Sequence, residues 1–261
     1  MTQALLSIWG VSSVLMLALW FVWRKTRRTA AVDVMWAFCV WASVVMLCLV
    51  GDGAASRRWL CLGLAGVWAG RLSLFLLRDR LLRHKEEDGR YTRMLSFFGA
   101  RAELAMFVFF QMQAVFVVLF ALPVAAVSFG DGPAAFDLMA ALGLAIGVGA
   151  IVGEAVADWQ LSVFRRDPAT RGTTCRRGLW KYSRHPNYFF EWLFWFAFIG
   201  LAWGSSTVWL AAVGPIIVFA FLYRFTGIPY TEKQALSHRP DYAEYQRVTP
   251  MFFPGRPRRQ T

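Results

Sequence analysis

The sequence predicts an all-α protein that crosses a membrane about seven times, and three observations support this fold class. Hydrophobic residues make up 57% of the 261 residues and charged residues only 17%, whereas soluble domains are about one-quarter charged. Seven apolar stretches approach the ~20 residues that a helix needs to cross the hydrocarbon core. Basic residues are concentrated in alternate connections between these stretches, as expected when loops lie on two different sides of a membrane.

The apolar stretches follow one another with short connections. They lie at roughly 4–23, 32–50, 59–77, 104–127, 136–157, 188–203 and 207–223. The first has no basic segment before it and no small-residue cleavage site, so we interpret it as a retained span and not as a signal peptide. The last two are short and only 204–206 separate them, which predicts a tight helical hairpin.

The positions of lysine and arginine predict the orientation of the spans. If the N-terminus lies outside, the cytoplasmic segments are 24–31, 78–103, 158–187 and 224–261, and they hold 25 of the 28 basic residues. Because basic residues concentrate on the cytoplasmic side, the C-terminus is expected there too. The net charge of +12 is therefore attributed mainly to topology, with part of it available for a phosphate-bearing ligand, and no nucleic-acid partner is expected.

Nothing in the chain indicates a second domain, a disulfide framework or a metal site. No linker rich in Ser or Pro interrupts 1–261, which we interpret as a single integral membrane domain. The four cysteines form no Cys-x-x-Cys pair, and three of them lie in apolar stretches, where cysteine behaves as a small hydrophobic residue.

Charged residues within the spans need a partner, because each costs a few kcal/mol at membrane depth. Asp33 begins the second span, where it can reach the interface, whereas Arg71 lies inside the third span and needs a carboxylate or a phosphate. Glu154 and Asp158 are four residues apart and share one face of the fifth helix. They either form an ion-pair network with Arg71 or Arg184, or bind the hydroxyls and phosphates of a ligand.

The loop that leads into the sixth stretch holds the densest set of polar side chains. Four cations lie within nine residues, namely Arg176, Arg177, Lys181 and Arg184. Pro186 suits the first turn of a helix, so a helix is expected to start there with its positive dipole end in the basic loop. Such a helix start favours anion binding. The candidate side chains around it are His185, Asn187, Tyr188 and Glu191.

Two further segments bring polar and aromatic side chains to the side of the membrane that is predicted to be cytoplasmic. The loop after the third stretch is either an ordinary solvated loop or reaches phosphates, and its candidates are Arg78, Arg80, Arg90 and Tyr91. After the seventh stretch, 227–233 and 238–247 add phenols, including Tyr242. These phenols are expected either to stack on an adenine or to lie at the level of the lipid head groups. The basic tail at 256–259 is expected to contact lipid head groups.

Taken together, these motifs resemble the steroid 5-alpha-reductase superfamily, and most closely its bacterial branch that carries the reductase's C-terminal domain. The matching pieces are Tyr-Ser-Arg-His-Pro-Asn-Tyr-Phe-x-Glu at 182–191, Glu-x-x-x-Asp-x-Gln at 154–160, Glu-Lys at 232–233 and Tyr-x-x-Tyr at 242–245. The resemblance extends from Asp33 to Pro254 and is strongest over 150–254. Its Arg-His-Pro piece alone is also similar to isoprenylcysteine methyltransferases, which bind S-adenosylmethionine.

The resemblance implies a seven-helix enzyme of the bacterial inner membrane that holds NADPH in a cytoplasm-facing cavity. It further implies reduction of a conjugated carbon–carbon double bond in a lipid-like or steroid-like enone. By motif, the positions that match the family's cofactor contacts are Asp158, Arg165, Asn187 and Glu191, with Arg71 and Asp79 aligned more loosely. The chain departs from the pattern at Phe190, where bacterial relatives usually have Gly. It also lacks the Gln-Glu pair of steroid reductases and has Trp68 about where their Tyr is expected.

We therefore expect an NADPH-dependent oxidoreductase acting on CH–CH groups. The candidates for stabilising the developing enolate oxygen are Tyr188, Glu154 and Tyr91. The candidates for binding the cofactor are Asp158, Arg165, Arg184, His185, Asn187, Glu191, Arg71 and Tyr242. The expected partners are a lipid-like substrate and membrane lipids. Two other functions stay open: an S-adenosylmethionine-dependent methyltransferase, and a lipid-binding membrane protein without enzymatic activity. The sequence specifies neither the substrate nor the oligomeric state.

Overall fold

The computed structural model describes residues 1–78, 89–225 and 227–258, and within them the chain is all-α, as predicted. The α-helices of this part of the chain are α1 (Thr2–Thr26), α2 (Ala30–Val50), α3 (Ala55–Leu76), α4 (Gly89–Phe98), α5 (Ala102–Ser128), α6 (Leu138–Arg166), α7 (Pro186–Phe194), α8 (Ala197–Leu201), α9 (Val208–Ala211), α10 (Val213–Ala220), α11 (Ile228–His238) and α12 (Tyr242–Val248). The predicted contacts at Asp79 and Arg80, the side chain of Arg90 and Arg259 of the tail lie outside the described residues.

Within the described residues, six helical runs are long and apolar enough to cross a membrane, which indicates a polytopic membrane protein. They are Thr2–Thr26, Ala30–Val50, Ala55–Leu76, Tyr91–Ser128, Leu138–Arg166 and Val208–His238. The expected count of about seven is not confirmed, because the stretch at 188–203 is broken. There α7 has 9 residues and α8 has 5, and neither can span a bilayer alone. The orientation of the two termini stays a prediction.

The chain divides into two compact units, and its interpretation as one domain stays a prediction. Unit 1 comprises Met1–Asp137 and Leu201–Val213. In this unit α5 packs against α1, α2 and α3, and part of its core is formed by Met16, Trp23, Val32, Tyr91, Met106, Phe110 and Ala114. Many apolar side chains on the helix surfaces are exposed, among them Leu6, Trp9 and Leu74, as expected for helices that face lipid.

One arginine of unit 1 is almost completely buried, with 3% of Arg57 exposed. Its Nη1 donates to the carbonyl oxygens of Leu201 and Trp203, at 2.8 and 3.0 Å. Its Nη2 lies 2.7 Å from Oδ2 of Asp137. Because acceptors inside unit 1 bind both terminal nitrogens of the guanidinium, Arg57 is a structural cation.

Unit 2 comprises Leu138–Gly200 and Gly214–Thr261, of which all residues except 226 and 259–261 are described. Its helices α6 and α7 pack together closely because glycines leave room on α6. A Cβ atom on Gly153 would lie 2.4 Å from the ring of Phe190, and one on Gly200 would lie 2.7 Å from Cα of Gly143. The bulky Phe190 that departs from the family pattern is therefore accommodated by a glycine on the facing helix.

Candidate functional site

The loop before α7 is fixed to the end of α6. Gly178 has a φ of 58°, in the left-handed region that favours glycine, and a Cβ atom there would lie 2.4 Å from the side chain of Gln160. The amide N–H of Leu179 donates to Oε1 of Gln160 at 2.9 Å. The indole N–H of Trp180 donates to the carbonyl oxygen of Ala157, also at 2.9 Å. Gln160, which belongs to the matched motif, is thus used to hold the loop.

The C-terminal segment fixes the same loop from another direction. The hydroxyl of Tyr245 donates to the carbonyl oxygens of Trp180 and Ser183. The hydroxyl of Ser183 donates to the carbonyl oxygen of Phe252 at 2.8 Å. Burial raises the pKa of Tyr245, so its phenol stays a neutral donor. The backbone on both sides of the predicted site is therefore held by the fold itself.

Glu232 of α11 is the acceptor on which the central side chains converge. Its Oε1 lies 2.8 Å from Nε of Arg184 and 3.1 Å from Nε2 of His185. Its Oε2 accepts a hydrogen bond from Gln246 at 2.7 Å, and the hydroxyl of Tyr242 lies 3.4 Å from Oε1. Burial, and then the charge of Glu232, raise the pKa of Tyr242. The positive charge of Arg184 is neutralised by this carboxylate.

The first turn of α7 carries Asn187 and Tyr188. The side-chain amide of Asn187 donates to Oδ1 of Asp158 on α6 at 3.0 Å. The ring of Tyr188 stacks on His185, with centroids 5.3 Å apart and an interplanar angle of 9°. Its hydroxyl lies 3.3 Å from Oγ1 of Thr231, and since that threonine donates its own proton to a backbone carbonyl, Tyr188 is the donor of the pair.

These side chains surround a cavity of about 450 Å³ within unit 2, hereafter the principal cavity. Its size is typical of small-ligand sites. Its polar and aromatic lining consists of Asp158, Arg165, Thr174, Trp180, Arg184, His185, Asn187, Tyr188, Thr231, Gln234, His238, Arg239, Tyr242 and Tyr245. A second cavity of about 290 Å³, hereafter the side cavity, shares Leu161, Arg165, Cys175 and Arg239 with it.

The two arginines shared by the cavities have no ion pair within the described residues. Arg165 belongs to the last turn of α6, and Arg239 follows α11. Their positive charges repel each other, and among the charges that act on Arg165 is the opposite charge of Asp158. Because the two guanidinium groups repel each other and neither forms an ion pair within the described residues, an anion bound near both would be stabilising.

Seven of the predicted site residues line the principal cavity: Asp158, Arg165, Arg184, His185, Asn187, Tyr188 and Tyr242. Glu154 and Glu191 belong to the same unit but do not line this cavity. The Oε1 atom of Glu191 instead accepts a hydrogen bond from the indole of Trp195 at 3.2 Å. Tyr91 and Arg71 belong to unit 1, where Tyr91 donates to Asp33 at 2.5 Å and Arg71 is exposed on α3.

Two central residues were not among the predicted site residues. Glu232 is 47 residues from His185 along the chain, and its neighbours are polar, so no local pattern marks it as half-buried. Arg239 is one of many arginines in the segments predicted to be cytoplasmic, and only the fold distinguishes it from the others. Two signals pointed to Glu232: the Glu-Lys piece at 232–233 that the resemblance matched, and the need of a half-buried Arg184 for a carboxylate partner.

Within residues 1–78, 89–225 and 227–258, no group of three or more His, Cys, Asp or Glu side chains is arranged to hold a metal ion. Burial raises the pKa of Cys175, a thiol that lines both cavities. This cysteine is therefore a neutral part of the cavity wall.

Comparison with known proteins assigns the chain to a family. The family described as "Protein of unknown function (DUF1295)" matches residues 19–249, which include every residue that lines the two cavities. The comparisons with curated proteins and with solved structures found no match. The chain belongs to the DUF1295 family.

Proposed function

We propose that this member of the DUF1295 family is an NADPH-dependent reductase of a conjugated carbon–carbon double bond in a lipid-like or steroid-like enone. The observation that carries the proposal is the pair Arg165 and Arg239, which has no ion pair in the described part of the chain and borders two adjoining cavities. The resemblance of 150–254 to the steroid 5-alpha-reductase superfamily supports the same cofactor.

The charges and cavities fit a dinucleotide. The diphosphate of a dinucleotide carries its negative charges between two nucleoside halves. Arg165 and Arg239 line both cavities, so they lie where the two cavities adjoin. Each cavity can then receive one half. S-adenosylmethionine has no phosphate and brings only one carboxylate, so it would compensate this pair of arginines less completely. Arg184 is a weaker candidate for the phosphates, because Glu232 already neutralises it.

The side chains of the principal cavity are suited to orienting the neutral end of such a cofactor. When bound, NADPH supplies the hydride that adds to the β carbon of the enone. Asp158 contributes a carboxylate to the cavity wall, and its bond to Asn187 fixes both groups. Acceptors of this kind suit the hydroxyls of a ribose or a carboxamide N–H. His185 and Tyr188 add a stacked aromatic surface.

Tyr188 is the best-supported candidate for the group that donates to the developing enolate oxygen. Its side chain lines the principal cavity, and its single hydroxyl proton, which is directed to Thr231 in this structure, would turn to the enolate oxygen when substrate is bound. Glu154 does not line this cavity, and Tyr91 belongs to unit 1. Donation from a positioned hydroxyl stabilises the negative charge that forms on the oxygen.

The membrane setting agrees with this chemistry. The distribution of basic residues supports an N-terminus outside and a principal cavity that opens to the cytoplasm, where NADPH is made. We place the protein in the bacterial inner membrane on the basis of the bacterial branch it resembles. A substrate dissolved in the bilayer would reach an embedded enzyme without entering water, which favours a lipid-like enone.

The proposal is tested by cofactor binding to protein purified in detergent. NADPH and S-adenosylmethionine are titrated in parallel against the wild type, Arg239→Ala and Arg165→Ala. A charge-assisted hydrogen bond contributes about 1.5–3 kcal/mol, so each variant should bind NADPH about 10-fold to 100-fold more weakly. Arg166→Ala is the matched control, because Arg166 is exposed, adjacent in sequence and absent from both cavity linings.

Each other outcome points to a different function. Binding of S-adenosylmethionine without NADPH would move the chain to the methyltransferases. Binding of neither compound would leave a lipid-binding membrane protein as the remaining candidate. If NADPH binds and Arg166→Ala weakens it as much as Arg239→Ala, the cavity assignment is wrong and the cations act only through their overall charge.

A further inference from the structure

The side cavity differs from the principal cavity in its charge. It is lined by Arg165, Arg171 and Arg239, together with Phe164 and Leu161. All of its lining residues lie in the described part of the chain, and none of them is acidic. The principal cavity, in contrast, includes the carboxylate of Asp158. The more negative end of a two-part ligand is therefore expected in the side cavity.

Arg171 is the cation that belongs to the side cavity alone. It follows the short 3-10 turn Pro168–Thr170 and precedes Gly172, whose φ of 75° favours glycine. Within the described residues its guanidinium forms no hydrogen bond or ion pair. The acid nearest in sequence, Asp167, caps the turn by accepting from the amide of Ala169 at 2.9 Å.

The hydroxyls of the side cavity are already used by the backbone. Thr170 Oγ1 donates to the carbonyl oxygen of Asp167 at 2.9 Å, and Thr173 Oγ1 donates to the carbonyl oxygen of Thr170 at 2.7 Å. A ligand in this cavity would therefore be recognised chiefly by guanidinium groups. Guanidinium groups bind phosphate oxygens in a bidentate manner, so the chemistry of the cavity suits a phosphomonoester beside an apolar and aromatic wall.

We propose that the side cavity binds the phosphorylated ribose of the cofactor's adenosine half, with the 2′-phosphate held between Arg171 and Arg239. This inference rests on the proposed function. It assigns the diphosphate to the boundary between the cavities and the nicotinamide half to the principal cavity. It also makes Arg171 the residue that determines the preference for NADPH over NADH, because NADH lacks the 2′-phosphate.

The test compares the dissociation constants of NADPH and NADH for the wild type and for Arg171→Ala. In the wild type NADPH should bind about 10-fold to 100-fold more tightly than NADH, the range expected when charge-assisted hydrogen bonds to one extra phosphate are lost. Arg171→Ala should remove most of this ratio by weakening NADPH and leaving NADH nearly unchanged. Arg171→Lys should restore it in part, since it keeps the charge but not the planar fork.

A fragment of the cofactor separates the side cavity from the rest of the site. Adenosine 2′,5′-bisphosphate should compete with NADPH more strongly than adenosine 5′-monophosphate does, and Arg171→Ala should equalise the two. Arg177→Ala is the control, because Arg177 is an exposed loop cation that lines neither cavity. An unchanged thermal unfolding temperature of Arg171→Ala would show that any effect arises from binding and not from folding.

The two proposals fail in distinguishable ways. If NADPH and NADH bind with equal affinity and Arg171→Ala changes neither, the assignment of the side cavity is overturned while dinucleotide binding stands. If Arg171→Ala weakens both dinucleotides equally, Arg171 serves the diphosphate and the assignment is likewise overturned. If neither dinucleotide binds the wild type, both proposals are overturned together.

Discussion

The two units use their arginines in opposite ways. In unit 1, Arg57 is buried and its guanidinium bonds to Asp137 and to two backbone carbonyls. In unit 2, Arg165 and Arg239 border two cavities, and within the described residues neither has an ion pair. An arginine paired with an acid and two backbone carbonyls contributes to the fold, whereas two arginines without an ion pair beside a cavity favour an anionic ligand. Arg57 is buried and paired, whereas Arg165 is exposed, so burial and pairing together separate a structural cation from a candidate binding residue.

Of the proposed substitutions, removal of Arg57 should lower the free energy of unfolding the most. Arg57→Ala would remove the guanidinium that bonds to Asp137 and to the carbonyl oxygens of Leu201 and Trp203, which should lower the free energy of unfolding by about 3 kcal/mol or more. Arg239→Ala should change it by no more than about 0.5 kcal/mol, because nothing in the described part of the chain depends on that guanidinium. Unfolding in detergent, followed by tryptophan fluorescence, compares the two variants. Equal losses of unfolding free energy in the two variants would contradict the difference between Arg57 and Arg239.

Glu232→Gln tests the intermediate case, in which a cavity arginine is already neutralised. The variant keeps the shape of the side chain but leaves the half-buried Arg184 without a counter-charge, which should cost about 1–3 kcal/mol of unfolding free energy. The cavity would also become more positive, so NADPH binding should depend more steeply on salt.

Glu244→Gln is the matched control for this change. Glu244 pairs with Arg176 at 2.9 Å, but both side chains are about one-third exposed or more, and such pairs contribute at most about 1 kcal/mol. If the two variants were equally stable and showed the same salt dependence, Glu232 would not be the group that neutralises Arg184.

The smallest effect concerns two tyrosines of unit 2 and appears only at high pH. Burial raises the pKa values of Tyr242 and Tyr245 above the ordinary value of 10.0. Because the folded-state pKa values are raised, the contribution of these two phenols to the stability of the folded protein is fully present below pH 10. It is lost as the pH rises through the folded-state values. Spectroscopic titration of tyrosinate should show a late component that Tyr242→Phe and Tyr245→Phe reduce. Titration of all tyrosines near pH 10 in the folded protein would contradict this.

Much of the fold could be predicted because hydrophobic length is a local property. The first five helical runs that could cross a membrane lie where apolar stretches were expected. The break between α7 and α8 was not predictable from hydropathy, because Trp195 and Phe196 at the break are as apolar as their neighbours. Hydropathy measures the preference for lipid and does not detect where backbone hydrogen bonding stops.

The site could be predicted only where its chemistry is concentrated in one segment. Arg184, His185, Asn187 and Tyr188 lie within five residues, and the structure places all of them on the principal cavity. Glu232 and Arg239 come from an element more than 40 residues away, and their pairing state depends on tertiary distances. Whether a charged side chain is neutralised cannot be derived from its sequence neighbours.

The close fit between Gly153 and Phe190 restricts how the sequence can vary. A side chain at 153 and a large ring at 190 exclude each other, since a Cβ atom on Gly153 would lie 2.4 Å from that ring. The residues at 153 and 190 therefore constrain each other, although they lie 37 positions apart in the sequence. A chain with glycine at 190 would be free to carry alanine at 153, so we expect the two to change together. Any transfer of α7 into a related protein would have to carry position 153 with it.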